Sequence, residues 1–294
     1  MYKKNLSTII FFILITSISS AQSEQRVEQP DSLVSIITTD GSEIVGYLKT
    51  ESDEQYSIET PAGIQMNIPK SAVVKMTEFE GKVVKDKLYR PDPNKSMYLF
   101  SPSAFPIGDK GRYCRDFCVI FPSYNFGIGD IVSVQLGAIW IGGTGLDDLP
   151  LVASAKYTFS QNKKSAYAAG IMYMRIPLDE NFGAGFTFVT GTFGDRYSHG
   201  TLSLGWGFVQ HKADWEFMDR PIIVLAGNKR MSNKFALVTE NWLLPEVEPG
   251  LFPLSLSLRF FGNGFAVDVG MIFTLDLLEE SLPLPILNFT YHFK

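Results

Sequence analysis

Thr201-Leu202-Ser203-Leu204-Gly205-Trp206-Gly207-Phe208 places a large apolar side chain at every second position and a hydroxyl or a glycine between each pair. Side chains of an extended strand leave on alternate faces, so one face of this stretch is greasy and the other nearly empty. The pattern recurs. Val132, Val134, Leu136, Ala138 and Trp140 oppose Ser133, Gln135 and Gly137, while Leu254, Leu256, Leu258 and Phe260 oppose Ser255, Ser257 and Arg259. Phe265, Val267, Val269, Met271 and Phe273 oppose Ala266, Asp268 and Gly270. A soluble β-sandwich turns its large apolar set inward and shows Lys, Glu and Thr outside. Here the polar parity is mostly tiny, which suits the crowded interior of a modest closed barrel whose outside is greasy.

Twelve such segments follow one another, near residues 97–105, 117–127, 131–141, 149–160, 165–175, 182–193, 198–210, 221–228, 233–243, 253–261, 264–276 and 284–294. The predicted fold is therefore all-β, a twelve-stranded antiparallel transmembrane barrel over residues 97–294. Aromatic residues gather at both ends of the segments: Trp140, Tyr173, Phe208, Trp242 and Phe273 at one end, Phe126, Phe159, Tyr167, Phe235, Phe265 and Phe293 at the other. Two girdles are what two membrane interfaces select. The connections alternate in length. Short ones such as 161–164, 194–197 and 262–264 are the expected periplasmic turns, and longer ones such as 142–148, 211–220 and 244–251 the expected outer loops. Asp147, Asp148, Asp179, Glu180, Glu246, Glu248, Glu279 and Glu280 fall in those outer loops.

The last segment alternates to the end of the chain, Leu287, Phe289, Tyr291 and Phe293 against Asn288, Thr290 and His292. This resembles the C-terminal signature of outer-membrane barrel proteins, whose assembly machinery is expected to read an exposed final strand. Lys294 follows the usual terminal aromatic.

At the other end, Lys3 and Lys4 precede the apolar run Leu6 to Ile15 and the small residues Ser19-Ser20-Ala21, the layout of an export signal, with cleavage expected after Ala21. Removing residues 1–21 takes away two lysines and no acid and moves the formal charge from −5 to −7. That balance disfavours a nucleic-acid partner. Charged residues are 19% and aromatic ones 13%, a mixture that leans towards a lipid-facing all-β protein. Outer-membrane lipid is the expected surrounding.

Residues 31–80 read as a separate small domain of five short strands. Asp40-Gly41 marks a hairpin, Glu51 to Glu54 a polar connection and Pro61-Ala62-Gly63 another turn. Its order of features, Thr39-Asp40-Gly41, then Ile44-Val45-Gly46-Tyr47-Leu48, then Met66-Asn67-Ile68-Pro69, resembles the Sm-like or SH3-like small barrel. The resemblance covers about fifty residues, and soluble members of that group bind RNA or peptides. Acids dominate here (Glu43, Glu51, Asp53, Glu54, Glu59), so a periplasmic spacer or a module contacting periplasmic proteins is the expectation. Residues 81–96, with Pro91-Asp92-Pro93, read as a linker. The layout of signal, small β-domain and barrel resembles outer-membrane β-barrel proteins of Gram-negative bacteria, and that resemblance brings no activity with it.

Chemistry-bearing patterns are few. His199, His211 and His292 are the three histidines, none placed in a metal or catalytic motif, and no nucleophile elbow, phosphate loop or His-Glu-x-x-His is present. No cofactor is expected. Ser198 beside His199 brings to mind the Ser and His of barrel enzymes acting on envelope lipid, but neighbours on a strand point oppositely. Cys114 and Cys118 lie too far apart along an extended strand for a disulfide, and a bent segment would permit one; a small-loop disulfide and two free thiols both stand. Lys156, Arg259 and Asp268 fall on the inward parity. Facing lipid, a midplane cation would cost roughly 2 to 4 kcal/mol. They are read either as a salt-bridged filling of the interior or as the selectivity lining of a narrow pore. Two function classes result: a structural or narrow-channel barrel with a periplasmic contact domain, and an outer-membrane enzyme acting on envelope lipid.

Overall fold

The computed structural model describes residues 32–294 except 80, 85, 93, 95, 110, 141–148, 178–181, 213, 246, 247, 249, 250, 263, 277–282 and 294. The expected export signal, 1–21, and the acids Asp147, Asp148, Asp179, Glu180, Glu246, Glu279 and Glu280 lie outside the described residues. The chain divides into two units, one ending at Tyr89 and one beginning at Arg90.

The first unit holds β1 (Leu33–Thr38), β2 (Glu43–Glu51), β3 (Gln55–Glu59), β4 (Gln65–Pro69) and β5 (Val73–Glu78), with a 3-10 turn at Lys70–Ala72. They form one antiparallel sheet in the order β4-β3-β2-β1-β5. Alternation fixes its inside, where Val34, Ile36, Ile58 and Ile68 are buried together with Ile44, Leu48, Tyr56, Val73 and Met76 against them. The Asp40-Gly41 turn forms because Gly41 takes φ +81°, and the Asp40 carboxylate accepts hydrogen bonds from the Thr38 hydroxyl and the Ser42 N–H and hydroxyl. Those donors, Thr38 foremost, hold its pKa below the ordinary carboxylate value. At Gly46 the strands approach so closely that a Cβ would lie 2.7 Å from the Glu59 carbonyl oxygen. Lys82–Val84 (β6) and Lys87–Tyr89 (β7) pair as a short hairpin within the stretch read as a linker.

The second unit is a closed barrel. Its strands are β8 (Arg112–Phe117), β9 (Phe121–Ile128), β10 (Val132–Ala138), β11 (Leu151–Gln161), β12 (Ser165–Ile176), β13 (Phe182–Gly194), β14 (Ser198–His211), β16 (Ile222–Arg230), β17 (Phe235–Leu243), β18 (Leu254–Phe261), β19 (Phe265–Phe273) and β20 (Leu284–His292). Consecutive strands of this set pair antiparallel, and β20 pairs with β8, so twelve strands close a ring with no free edge sheet. A short strand β15 (Asp214–Phe217) folds back on the end of β14.

Eleven ring strands lie where alternation placed them, and one does not. Residues 97–105 contribute no wall strand; β8 occupies that place in the ring, and the segment before it runs inside the barrel. The twelve-strand count survives because β8 substitutes for the expected first strand. Trp242, assigned above to a girdle, faces inward.

Side-chain parity decides which face each residue meets. On β20, Leu287, Phe289, Tyr291 and Phe293 beyond it are 40%, 45%, 56% and 42% exposed, whereas Asn288 and Thr290 between them are 0% and 3%. The outside is apolar and the inside polar, the inversion that a bilayer demands of a barrel. One end of the barrel carries the tight connections 129–131, 162–164, 195–197, 231–234 and 262–264, along with the start of β8 and the end of β20. The other end carries 139–150, 212–221, 244–253 and 274–283, with the tighter 118–120 and 177–181.

The exposed parity of β20 generates a test. Tyr291→Asp with Phe293→Asp puts two charges on the outer face, and Ile286→Val with Thr290→Ser changes only the inner one. The first pair should abolish both membrane accumulation and the compact band that a closed barrel gives in unheated detergent gels; the second should leave both nearly unchanged. Equal accumulation of the two double variants at matched expression would contradict β20 as the closing strand.

Candidate functional site

The barrel's interior is organised around the chain that precedes its first strand. Asn94, Ser96–Leu99, Ser101, Ser103–Phe105 and Ile107 are all buried. A bridge between Met97 and Pro102, with N–H to carbonyl bonds from Tyr98 to Ser101 and from Ser103 to Ser96, folds the segment into a tight hairpin-like strap. Twelve strands enclose more room than the eight whose own side chains suffice to fill a barrel, and this strap takes up that room.

A backbone placed there has no neighbouring strand to pair with, so its polar groups need other partners. Side chains of the wall provide them. The Glu240 carboxylate, projecting inward from β17, accepts through one oxygen the N–H groups of Leu99, Phe100 and Ser101 at 3.0, 2.9 and 2.9 Å. Its other oxygen accepts the Trp242 indole N–H at 2.7 Å. Thr192 accepts the Ala104 N–H at 2.8 Å and Ser133 the Ile107 N–H at 3.0 Å. The strap's carbonyls meet cations. Lys156 donates to Ser103 and Phe105, Arg115 to Tyr98 and Leu99, Arg259 to Met97 and Tyr98, and Arg196 to Pro106. Thr158 donates to the Ala104 carbonyl.

Arg259 is the centre of the ionic network. Its guanidinium pairs with both oxygens of Asp268 at 2.6 and 3.0 Å and with Asp92 of the strap at 2.8 Å, and Asn288 donates to Asp268. Pairing of this kind offsets the removal of charged groups from water, and deleting one partner of such a pair costs about 3 to 5 kcal/mol. Tyr98 adds a hydroxyl contact with Thr201 at 2.6 Å, and its ring lies 5.4 Å from that of His199.

The residues singled out by sequence fall as follows. Lys156, Arg259 and Asp268 are 3%, 1% and 1% exposed; Arg259 and Asp268 bind each other, and Lys156 holds a different part of the strap. Cys114 faces outward from β8 and Cys118 sits in the following turn at φ +55°; both are free thiols. Ser198 and His199 point to opposite faces. The Ser198 hydroxyl accepts the Arg230 N–H, while the His199 ring lies in the lumen with Nδ1 against the Asp195 carbonyl and Phe105 edge-on to it. Among the described residues no group of three or more His, Cys, Asp or Glu side chains is placed to hold a metal ion.

Sequence reasoning missed Glu240, Arg115, Thr192 and the strap itself. A signal for Glu240 existed: it is the one carboxylate on a parity otherwise made of Ala236, Val238 and Trp242. Pro102 interrupts residues 97–105, but the wall strands β9 and β20 hold Pro122 and Pro285 as well, so that proline alone did not mark the strap.

The chain matches no protein-family model and no curated protein. Among solved structures it is similar to OmpT, an outer membrane protein of Vibrio cholerae folded in vitro and in its trimer form, with 11% identity, a TM-score of 0.36, and 90% of this chain and 97% of that one covered. It is also similar to Salmonella typhi OmpF in complex with daunomycin, with 7% identity, a TM-score of 0.30, and 90% and 95% of the two chains covered.

Proposed function

We propose that this protein is an outer-membrane β-barrel closed by its own strap, structural at rest rather than a standing narrow channel, and that residues 31–80 form a periplasmic contact domain. The observation that carries the reading is the convergence of three successive strap N–H groups on the Glu240 carboxylate. Withdrawing the strap would leave that carboxylate, together with Lys156, Arg115 and Arg259, without the partners it supplies. Even about 3 kcal/mol from one such loss keeps an open state below roughly one part in a hundred. The charges once open to reading as a selectivity lining are bound to the strap or to each other, which favours a filled lumen over a conducting one. The acidic character of residues 31–80 and their Sm-like or SH3-like resemblance support a protein partner for the small sheet, and the barrel's own partners are outer-membrane lipid and the assembly machinery that inserts it.

Planar-bilayer recording tests the closed state. The unaltered protein should give no steady current, Glu240→Ala should give intermittent openings, and deletion of residues 97–104 should give a persistent conductance. Steady current from the unaltered protein, equal to that of the deletion, would overturn the proposal.

Orientation follows from the two unequal ends. Outer-membrane barrels keep short turns and both termini in the periplasm. In a background with Cys114→Ser and Cys118→Ser, Lys212→Cys lies in the long connection 212–221 and Lys163→Cys in the turn 162–164. A membrane-impermeant maleimide should label the first on intact cells and the second only after lysis. The reverse pattern would invert the topology.

A further inference from the structure

The two ends of the barrel differ in charge. Among the described residues the long connections expose Asp214, Glu216, Asp219, Glu248 and Asp276 against the cations Lys212 and Arg220. The short-turn end is basic along the stretch from β11 to β17. Lys163 and Lys164 in the turn after β11, Lys229 near the end of β16 and Lys234 in the turn after it are all exposed. None of the four is paired with a carboxylate among the described residues.

We propose that this basic arc binds the negatively charged headgroups of phospholipids in the leaflet where the short turns lie, in preference to zwitterionic headgroups. Three observations carry the proposal. First, the arc is one continuous surface. Neighbouring turns are hydrogen-bonded to each other, the Gly194 N–H donating to the Lys164 carbonyl and the Arg230 N–H to the Tyr197 carbonyl. With strands about 4.8 Å apart, the turns that carry the lysines span roughly 20 Å of rim. That is too wide for one small anion and suits a row of headgroups.

Second, the acid on this arc does not neutralise it. Asp195 is turned to its own turn, where one carboxylate oxygen accepts the Tyr197 and Ser198 N–H groups at 2.7 and 2.8 Å. Asp109 and Asp130 lie elsewhere on the rim, where Asp130 accepts the Asp109 N–H. The turn that presents Lys234 is held in shape by Arg230, whose guanidinium donates to the Ser232 and Asn233 carbonyls and lies 3.6 Å from the centre of the Phe261 ring.

Third, the lysines stand at headgroup level. Outward-facing rings lie on the strand ends beside them, Tyr167 with Phe193 at 5.9 Å and Phe235 with Phe260 at 6.5 Å, and aromatic rings of this kind settle at the bilayer interface. Lys229 shares the outward parity of Leu225 and Gly227, so its side chain leaves the wall on the lipid-facing side and can carry its ammonium group along that surface to the headgroups. An acidic protein approaching this end would meet the tips of the turns and miss Lys229. Each cation at such a surface adds attraction for anionic lipid, and the attraction fades within a Debye length.

The inference rests on the membrane reading of the barrel and not on the state of the strap. For its test the full chain is reconstituted into phosphatidylcholine vesicles that hold a trace of phosphatidylglycerol or of phosphatidylcholine spin-labelled near the end of one acyl chain. Electron paramagnetic resonance then reads the fraction of each lipid immobilised at the protein. Phosphatidylglycerol should be favoured by roughly threefold or more at low salt, and the ratio should fall towards one as sodium chloride is raised to about 0.5 M. The combined variant Lys163→Gln, Lys164→Gln, Lys229→Gln and Lys234→Gln should lose the preference, whereas arginine at the same positions should keep it. Adding Asp214→Asn, Glu216→Gln, Asp219→Asn and Glu248→Gln to the glutamine variant restores the net charge and should not restore the preference. Equal immobilised fractions of the two lipids with the unaltered protein would overturn the proposal, as would a preference that survives in a glutamine variant retaining the compact unheated band. No immobilised fraction with either lipid would overturn the membrane reading itself, and the proposal with it.

Discussion

Everything in the barrel follows from the requirement that a backbone N–H or carbonyl away from water be paired. The wall meets it by closure: each of the twelve ring strands has a neighbour on both sides because β20 returns to β8. The strap cannot meet it that way. With no strand beside it, its N–H groups turn to Glu240, Thr192 and Ser133, and its carbonyls to Lys156, Arg115, Arg259 and Arg196. The buried charges thus stand where strand partners would otherwise be. Charge-assisted bonds of about 1.5 to 3 kcal/mol each offset part of the desolvation of the groups that make them.

That accounting also explains the mixed interior. Where the strap's backbone runs, polar wall residues meet its N–H and carbonyl groups, and apolar wall residues pack its side chains between them, Val238 and Ile286 with Tyr98 and Leu99, Ala166 and Ala168 with Ala104 and Phe105. The outer face shows the same logic in reverse, with large apolar side chains wherever the backbone is already paired.

How much of this was legible depended on whether one face of a segment carried a consistent message. Eleven strands announced themselves because lipid outside and tight packing inside select opposite side-chain types at alternate positions. β8 did not. Its outward parity is Arg112, Cys114 and Asp116, which resembles no lipid face, while Met97–Phe105 is apolar enough to pass for a strand. The small sheet's turns were readable at Asp40-Gly41 and Gly63 because both glycines take φ +81°, a local demand that sequence expresses directly. The strap's partners were not readable, since Glu240 lies about 140 positions along the chain from the amides it holds. Parity places a charge in the lumen; only the fold says what it touches.

The strap and the seam between β8 and β20 form one mechanical unit. That seam joins by the fewest residue pairs in the ring, from Asn288 with Phe117 to His292 with Tyr113. Both of its sides are tied to the strap from within. Arg115, on β8, donates to the Tyr98 carbonyl, and the same carbonyl accepts Arg259, whose partner Asp268 receives Asn288 of β20. One strap carbonyl is therefore linked to both strands of the weakest join without relying on the ladder between them. A strap that only filled space would also need its carbonyls paired, but by donors from any part of the wall. The placement of two guanidinium groups on Tyr98 is instead what a brace requires, and it explains why a short strand such as β8 suffices to close the ring.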